Sequence, residues 1–439
     1  MKRVLIFLVF INLFSSLTAQ YSVSGGSGFP KREVNDTPNR LEVYLLNGLS
    51  NVRISFNSPD PGTHQWYQYR ESGNNAIPIS SVQEGNSSYI TDVQDGYGYF
   101  VGFPTEGLQH YVWIIDYSRY IPRFFNLKTV KAADECISLK IIADVETEQL
   151  IYYLPDSTDY KELTRIYHLQ YDTQLWKEDD RQFILEEKNM EWPGLISDTA
   201  VISAPLINTY FTLTGDQFAE YFGIPQAIRS DEYQAIAVEV HYTVETTKEH
   251  ADNEMHHAED ALGGSAPIEY TFTAYANEPV AAFYHWEISR RDSISGQTNW
   301  GTQSYNRIFR YNFEEDGFYR VELKVTDPQS ICVDTTIFFN VIIDNTVIKI
   351  PNAFSPGSSI GVNDELKISF TSVVTFKASV YNRWGNLLFQ WSDPTRGWDG
   401  RVNGKFVPTG VYYVIVEYKD STGRNRTMSR AVNVLRANN

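Results

Sequence analysis

Short runs of alternating apolar and polar residues recur along this chain, and turn residues separate them. In 319–326, aromatic and aliphatic residues alternate strictly with charged and polar ones, and 412–419 shows the same period of two. A period of two places alternate side chains on one face of a strand, whereas a helix needs a period near 3.6. Turn signals at roughly eight- to twelve-residue intervals favour β-sandwiches over alternating strands and helices. The sequence therefore predicts an all-β protein.

The N-terminus has the pattern of a secretory signal peptide. Lys2 and Arg3 are basic, an apolar run follows from Val4 to Phe14, and Ala19 ends a stretch of small residues. Cleavage before Gln20 is expected. The apolar run is too short to span a membrane, and no later stretch reaches the roughly eighteen apolar residues of a membrane helix. We expect an exported chain without membrane insertion.

Composition restricts the partners of the chain. Its 439 residues carry a formal net charge of −17 and include 29 Tyr. Such acidity repels the phosphates of nucleic acid and of anionic lipid, so neither is an expected partner. Tyr favours strands and half-exposed surfaces, which suits β-rich extracellular modules.

The chain has two cysteines, Cys136 and Cys332. Each opens an apolar, strand-like run, and the two runs lie in what we interpret as different domains. We expect two separate, largely buried thiols. An interdomain disulfide is the alternative, because the periplasm and the cell surface are oxidising compartments, and the sequence alone does not decide between the two states.

The C-terminal segment, from about Val347 to Arg436, contains short motifs in a fixed order. The candidate sorting residues are Pro351, Asn352, Phe354, Pro356, Asn363, Asp364, Asn382, Arg383, Trp384, Gly385, Trp398, Asp399, Gly400, Gly410 and Tyr412. In this order they resemble the gliding motility-associated C-terminal domain, the type B sorting domain of type IX secretion cargo. The resemblance implies export across the outer membrane, followed by attachment or release at the cell surface. It implies the type IX translocon and the surface attachment machinery as partners. It does not imply a catalytic activity.

The residues of this segment indicate a compact β-domain without the resemblance. Pro408-Thr409-Gly410 and Asp399-Gly400 are turn sequences between strands. Trp384 and Trp398 are expected to anchor the core, with direct contact to a partner as the alternative. The segment departs from the family at 357–362, where Ser and Ile replace an acidic turn, so no cation is expected there.

A further sandwich is predicted before the sorting domain. Trp286 lies in a strand-like run, and 317–327 reads Gly-Phe-Tyr-Arg-Val-Glu-Leu-Lys-Val-Thr-Asp. Together they resemble the polycystic kidney disease-type domain, an immunoglobulin-like sandwich whose relatives are spacers and adhesion modules. A buried Trp against a Tyr-bearing strand is what such a sandwich needs.

The N-terminal half repeats the pattern of strands and turns, with Trp66 where a sandwich core would place a Trp. The fold prediction is tandem immunoglobulin-like β-sandwich domains with a small C-terminal β-sandwich sorting domain. We expect a signal peptide at 1–19, immunoglobulin-like domains at 28–130 and 131–247, an acidic linker containing His at 248–265, a polycystic kidney disease-type domain at 266–345 and the sorting domain at 346–437.

The predicted linker contains the only concentration of His residues in the chain. His250 and Glu254 would share one face of a helix, as would Asn253 and His257. His250, Glu254 and His257 are therefore weak candidates for metal ligands. The expected state is a solvated acidic chain without a metal or another cofactor, because nothing fixes four ligands in a tetrahedron.

No sequence motif for catalysis is present, so no enzyme activity is expected. The leading hypothesis is an exported structural or adhesion protein, or an accessory of the secretion or gliding apparatus. The alternative is a surface carbohydrate-binding module. Its aromatic platform would consist of Trp66, Tyr67, Tyr69, Tyr97 and Tyr99. The ligand of a carbohydrate-binding module would be a surface glycan. The ligand of an adhesion protein would be a surface protein.

Overall fold

Strands make up most of the computed structural model, which confirms the predicted all-β fold class. The structure describes residues 20–58, 62–102, 109–194, 199–255, 262–291, 298–358 and 361–436. The predicted signal peptide therefore lies outside the described residues. Within these ranges the strands form four successive sandwich-like units, and the single α-helix is a short one in the second unit.

The first sandwich consists of two sheets. Its strands are β1 (Gln20–Ser24), β2 (Lys31–Asp36), β3 (Leu41–Leu46), β4 (Arg53–Asn57), β5 (Gln65–Tyr69), β6 (Ile77–Ile79), β7 (Val82–Glu84), β8 (Ser87–Ile90), β9 (Tyr97–Gly102) and β10 (Tyr111–Asp116), with 3-10 turns at Gly73–Asn75 and Tyr117–Arg119. The strand orders are β1-β4-β8-β7 and β2-β3-β10-β9-β5-β6. Apolar side chains from both sheets, including Trp66, Phe56 and Ile114, form the core between them.

The second sandwich has two sheets and a separate hairpin. Its elements are β11 (Arg123–Lys131), β12 (Ser138–Glu146), β13 (Leu150–Tyr153), β14 (Tyr160–Leu163), β15 (Ile166–Lys177), β16 (Gln182–Pro193), β17 (Thr199–Ser203), β18 (Thr212–Thr214), α1 (Gln217–Tyr221) and β19 (Ala227–Arg229). The sheets are ordered β11-β12-β17 and β16-β15-β18-β19, and the hairpin is β13-β14. Asp216 starts the helix, because its carboxylate accepts hydrogen bonds from the main-chain N–H groups of Phe218 and Ala219.

The first two sandwiches share a hydrophobic core. Trp113 of β10 lies in one cluster of buried side chains with Leu150, Tyr152 and Phe218 of the second sandwich. The residues of β10 that alternate with Trp113 belong to the core of the first sandwich instead. Strand β10 is consequently buried on both faces, which accounts for its unbroken apolar sequence from position 111 to position 115.

The third sandwich again has two sheets. Its strands are β20 (Val240–Glu245), β21 (Gly263–Gly264), β22 (Ile268–Ala276), β23 (Phe283–Arg291), β24 (Thr298–Ser304), β25 (Ile308–Phe313), β26 (Gly317–Thr326) and β27 (Val333–Ile343). The sheets are ordered β20-β22-β25 and β21-β27-β26-β23-β24. Trp286 is fully buried and lies opposite Leu323 of the neighbouring strand, as the alternation in 319–326 predicts.

The fourth unit is the C-terminal domain. Its strands are β28 (Val347–Lys349), β29 (Ala353–Phe354), β30 (Leu366–Lys367), β31 (Ser369–Thr371), β32 (Val373–Tyr381), β33 (Leu387–Trp391), β34 (Gly397–Trp398), β35 (Arg401–Val402), β36 (Lys405–Phe406), β37 (Gly410–Asp420) and β38 (Asn425–Val434). The main sheet is ordered β29-β38-β37-β32-β33. Three two-stranded sheets, β28-β31, β30-β34 and β35-β36, complete the domain.

A disulfide bond joins Cys136 of the second sandwich to Cys332 of the third. The expectation of two separate thiols is therefore wrong. The second and third sandwiches pack side by side, which brings the turn before β12 against the turn before β27. The same interface contains a stacked pair, Trp176 and His241, with ring centroids 4.4 Å apart.

Candidate sorting surface of the C-terminal domain

Trp398 occupies the centre of the C-terminal domain, as expected from its sequence. Its side chain is fully buried, and its ring lies 5.5 Å from that of Phe354 and 5.9 Å from that of Tyr412. The indole Nε1–H donates a hydrogen bond of 3.0 Å to the carbonyl oxygen of Arg401. Three of the predicted sorting residues thus meet in one aromatic core, where they stabilise the fold.

Asp399 and Gly400 form the tight turn that follows Trp398. The Asp399 carboxylate accepts a hydrogen bond from the main-chain N–H of Arg401 at 3.0 Å. Gly400 has a φ of +73°, and a Cβ at this position would lie 2.7 Å from Cγ of Pro356. Glycine is therefore required both by the backbone conformation and by the close approach of Pro356.

Residues Pro351 to Phe354 fasten the beginning of the domain to its end. The carbonyl oxygen of Asn352 accepts a hydrogen bond of 2.8 Å from the N–H of Asn433, and β29 pairs in parallel with β38. Pro351 immediately precedes this pairing. These motif residues therefore add an edge strand to the main sheet.

The Asn363-Asp364 pair holds the loop that follows this first motif. The carbonyl oxygen of Asn363 accepts a hydrogen bond of 2.6 Å from the N–H of Ser355, and the Asp364 carboxylate accepts one of 3.0 Å from the N–H of Gly361. The Asp364 side chain thus fixes the local backbone, and Asn363 has a φ of +55°, a left-handed conformation that Asn tolerates better than most residues.

Gly410 and Tyr412 begin the long strand β37. The Tyr412 hydroxyl donates a hydrogen bond of 2.8 Å to the carbonyl oxygen of Pro408, and burial raises the pKa of this hydroxyl. The contact ties the strand to the turn that precedes it. Tyr412 therefore also stabilises the folded core.

The turn Asn382 to Gly385 differs from the other motifs, because its large side chain is exposed. The Asn382 side chain accepts hydrogen bonds from the N–H groups of Trp384 and Asn386, at 3.0 and 2.9 Å, and so shapes the hairpin between β32 and β33. Trp384 is 70% exposed. The expectation that Trp384 anchors the core is wrong, since the turn places the ring at the tip of a hairpin.

Arg383 lies beside this exposed ring. Its guanidinium carbon is 4.2 Å from the centroid of the Trp384 ring, a cation–π arrangement. Among the described residues, no carboxylate forms an ion pair with Arg383. The hairpin tip therefore presents a cation and an indole ring together.

Apolar side chains continue from the hairpin tip across the outer face of the main sheet. Leu387, Tyr381 and Tyr413 lie opposite one another on three neighbouring strands. Leu387 and Tyr413 are 52% and 49% exposed, and Val411 is also exposed. We call Arg383, Trp384, Leu387, Val411 and Tyr413 the candidate sorting face.

The charge of the C-terminal domain is opposite to that of the whole chain. Residues 346–436 contain twelve Lys and Arg against six Asp and Glu, although the formal net charge of the chain is −17. A basic domain with exposed Trp, Tyr and Arg has the composition of a protein-binding surface.

The predicted linker is not a solvated chain in its described part. Asn253 and Glu254 are each only 8% exposed, because they pack against the C-terminal domain. The expectation of a solvated linker is wrong for these residues, because contacts between residues more than a hundred positions apart leave no local pattern. Residues 256–261, and with them the candidate ligand His257, lie outside the described residues.

The other two candidate metal ligands are His250 and Glu254. The side chain of Lys248 already occupies the Glu254 carboxylate, where a metal ion would have to bind. His250 Nδ1 lies 3.4 Å from Glu254 Oε2, and Lys248 Nζ lies 2.7 Å from Glu254 Oε1. A lysine ammonium beside the carboxylate opposes a second cation. In the part of the chain that the structure describes, no three potential ligands cluster as a metal site requires.

The aromatic residues proposed as a sugar platform do not form one exposed surface. Trp66, Tyr69 and Tyr99 are buried in the first sandwich. Tyr67 stacks on the buried ring of Phe100, with centroids 5.2 Å apart. The alternation of β5 directs its side chains to opposite faces, which separates neighbours in the sequence.

Two family models match parts of the chain. Residues 348–432 match the CHU_C type IX secretion signal domain, and residues 128–230 match a fibronectin type III domain. The chain thus carries a type IX secretion signal domain at its C-terminus and a fibronectin type III domain upstream. The signal indicates export to the cell surface or secretion, and it implies contact with the type IX secretion machinery. No helix in the described residues is long and apolar enough to cross a membrane.

The solved structures that resemble the chain are distant in sequence, and no curated protein matches the chain. The FN1-FN3 domains of chicken CNTN1 are 10% identical, with a TM-score of 0.27, over 71% of this chain and 99% of that one. Three N-terminal domains of the Hoc capsid protein of bacteriophage RB49 are 10% identical, with a TM-score of 0.22, over 72% of this chain and 100% of that one. Escherichia coli alpha-2-macroglobulin is 10% identical, with a TM-score of 0.17, over 95% of this chain and 44% of that one.

Proposed function

We propose that the chain is a non-enzymatic, exported β-protein that type IX secretion delivers to the cell surface. There it acts as a structural or adhesion protein, or as an accessory of the secretion or gliding apparatus. The observation that carries this proposal is the type IX secretion signal domain at 348–432. The fibronectin type III domain supports a non-catalytic role, since that family is not catalytic. We also propose that the third sandwich is a polycystic kidney disease-type spacer.

Within the signal domain, we propose that the candidate sorting face contacts the type IX translocon. The other motif residues lie in the core or in hydrogen-bonded turns, where they maintain the fold. Trp384 is largely exposed and makes no comparable core contact, so its indole ring is available to a partner. Exposed Trp and Arg side chains are frequent centres of binding energy in protein interfaces.

Deletion of residues 347–439 tests the role of the signal domain. The truncated chain should accumulate in the periplasm, while the full chain reaches the surface or the medium. Trp384→Ala in the full chain should reduce surface delivery, whereas Leu435→Ala, which truncates another exposed side chain of the domain, should not. Delivery of the truncated chain at the normal level would overturn the proposed function.

A further inference from the structure

Residues 248–255, which we call the strap, cross from the third sandwich to the signal domain. The Asn253 side-chain amide donates two hydrogen bonds of 2.8 Å, one to the carbonyl oxygen of Ile368 and one to that of Pro394. Both acceptors belong to the signal domain. One buried side chain thus satisfies two main-chain groups of a different unit.

The main chain of the strap extends a sheet of the signal domain. The N–H of Phe370 donates to the carbonyl oxygen of Asn253 at 3.1 Å, and the N–H of Met255 donates to the carbonyl oxygen of Phe370 at 2.8 Å. Thr371 Oγ1 donates a further bond of 2.8 Å to the carbonyl oxygen of Met255. The strap therefore pairs with the free edge of β31, which would otherwise expose unpaired main-chain groups.

Charged and polar contacts hold the strap in place. Burial raises the pKa of Glu254, but hydrogen bonds from Lys248 and Ser265 outweigh it and hold that pKa below its usual value. Ser265 Oγ also accepts a hydrogen bond of 2.8 Å from the N–H of Ser372 in the signal domain. Asn253 and Ser265 thus both bind the signal domain, at neighbouring positions between Ile368 and Ser372.

We propose that the export signal of this chain is composite, consisting of the matched domain together with the strap docked on its edge. The inference rests on the proposed function. The strap lies about a hundred residues before the matched segment, yet it completes an edge of the domain and fixes its orientation to the third sandwich. A partner that binds a preorganised surface loses less conformational entropy on binding. Asn253 is accordingly a positioning residue for export.

The test compares Asn253→Ala with Asp252→Ala in the full chain. Asp252 is exposed and adjacent, so its substitution is the matched control. Asn253→Ala should speed hydrogen exchange at the Phe370 amide by roughly 5- to 150-fold, because the carbonyl oxygens of Ile368 and Pro394, one buried and one partly buried, lose their donor. Surface delivery in cells should fall below about half of the wild-type level, because the edge of the signal domain is no longer preorganised. Asp252→Ala should change neither measurement.

A second variant distinguishes loss of the strap contact from misfolding caused by the Asn253 substitution. Thr371→Val keeps the shape of the side chain and removes its bond to the strap from the opposite side, so it should reproduce both effects. Unchanged exchange in both variants would overturn the docking. Faster exchange with normal delivery would show that the strap is structural only, and would overturn the composite signal. If the wild-type chain reached the surface without the translocon, the proposed function itself would be overturned.

Discussion

Cys136 and Cys332 are bonded to each other although they are 196 positions apart in the sequence. The bond links the second sandwich to the third and closes the covalent loop that contains most of both. The stacking of Trp176 on His241 supports the same interface. The two sandwiches are therefore held together by more than the chain connection between them.

Removal of this disulfide should destabilise the two linked sandwiches. The variant carrying both Cys136→Ser and Cys332→Ser should lose about 2–5 kcal/mol, the usual cost of removing a native disulfide. Calorimetry would measure the change. A reducing agent should lower the melting temperature of the wild type and leave that of the variant unchanged. Alkylation of both thiols in the folded, unreduced protein would contradict the bond.

Trp398 and Trp384 should respond oppositely to truncation. Trp398→Ala should cost roughly 3–5 kcal/mol, because it empties the centre of the C-terminal core. Trp384→Ala should change stability by less than about 0.5 kcal/mol, as is usual for exposed side chains. Thermal unfolding of both variants provides the measurement. Equal losses would contradict the different placement of the two rings.

Local patterns predicted the strands but not the contacts between units. The alternation in 319–326 and the position of Trp286 follow from the period of two, and both agree with the structure. The state of Cys136 and the burial of Asn253 depend on how separate units pack, which no local pattern records. Trp384 differs from the expectation because a Trp in a small domain usually enters its core, whereas here the Asn382-Gly385 turn directs it outward.

Arg165 and Asp216 form a buried ion pair beside the joint core of the first two sandwiches, and removal of one partner should be costly. The Tyr117 hydroxyl donates a hydrogen bond of 2.5 Å to the same carboxylate. Asp216→Ala should destabilise by about 3–5 kcal/mol, because it leaves the buried guanidinium unpaired. The control is Glu146→Ala at the exposed Arg123 pair, which should cost at most about 1 kcal/mol. Similar losses in denaturant unfolding would contradict this ranking.

High pH should destabilise the fold through its buried tyrosines. Burial raises the pKa of Tyr319 to about 12, and burial with a hydrogen bond to Asp95 raises that of Tyr120 to about 12. An unfolded Tyr has a pKa near 10, so the folded state holds these protons more tightly. Their stabilising contribution is complete below about pH 10 and is lost as the pH rises from about 10 to 12.

Melting temperature measured between about pH 8 and 12 should therefore fall in that upper window. Absorbance of tyrosinate should show a second group of residues that ionise only as the protein unfolds. Titration of all 29 Tyr together near pH 10, in a protein that stays folded, would contradict the burial described here.

The most direct test of the proposed export route is the location of the full chain in cells with and without a functional type IX translocon. Surface labelling and fractionation would measure it. We expect the chain to reach the surface or the medium when the translocon is present, and to accumulate in the periplasm when it is absent. Equal surface delivery in both strains would contradict it.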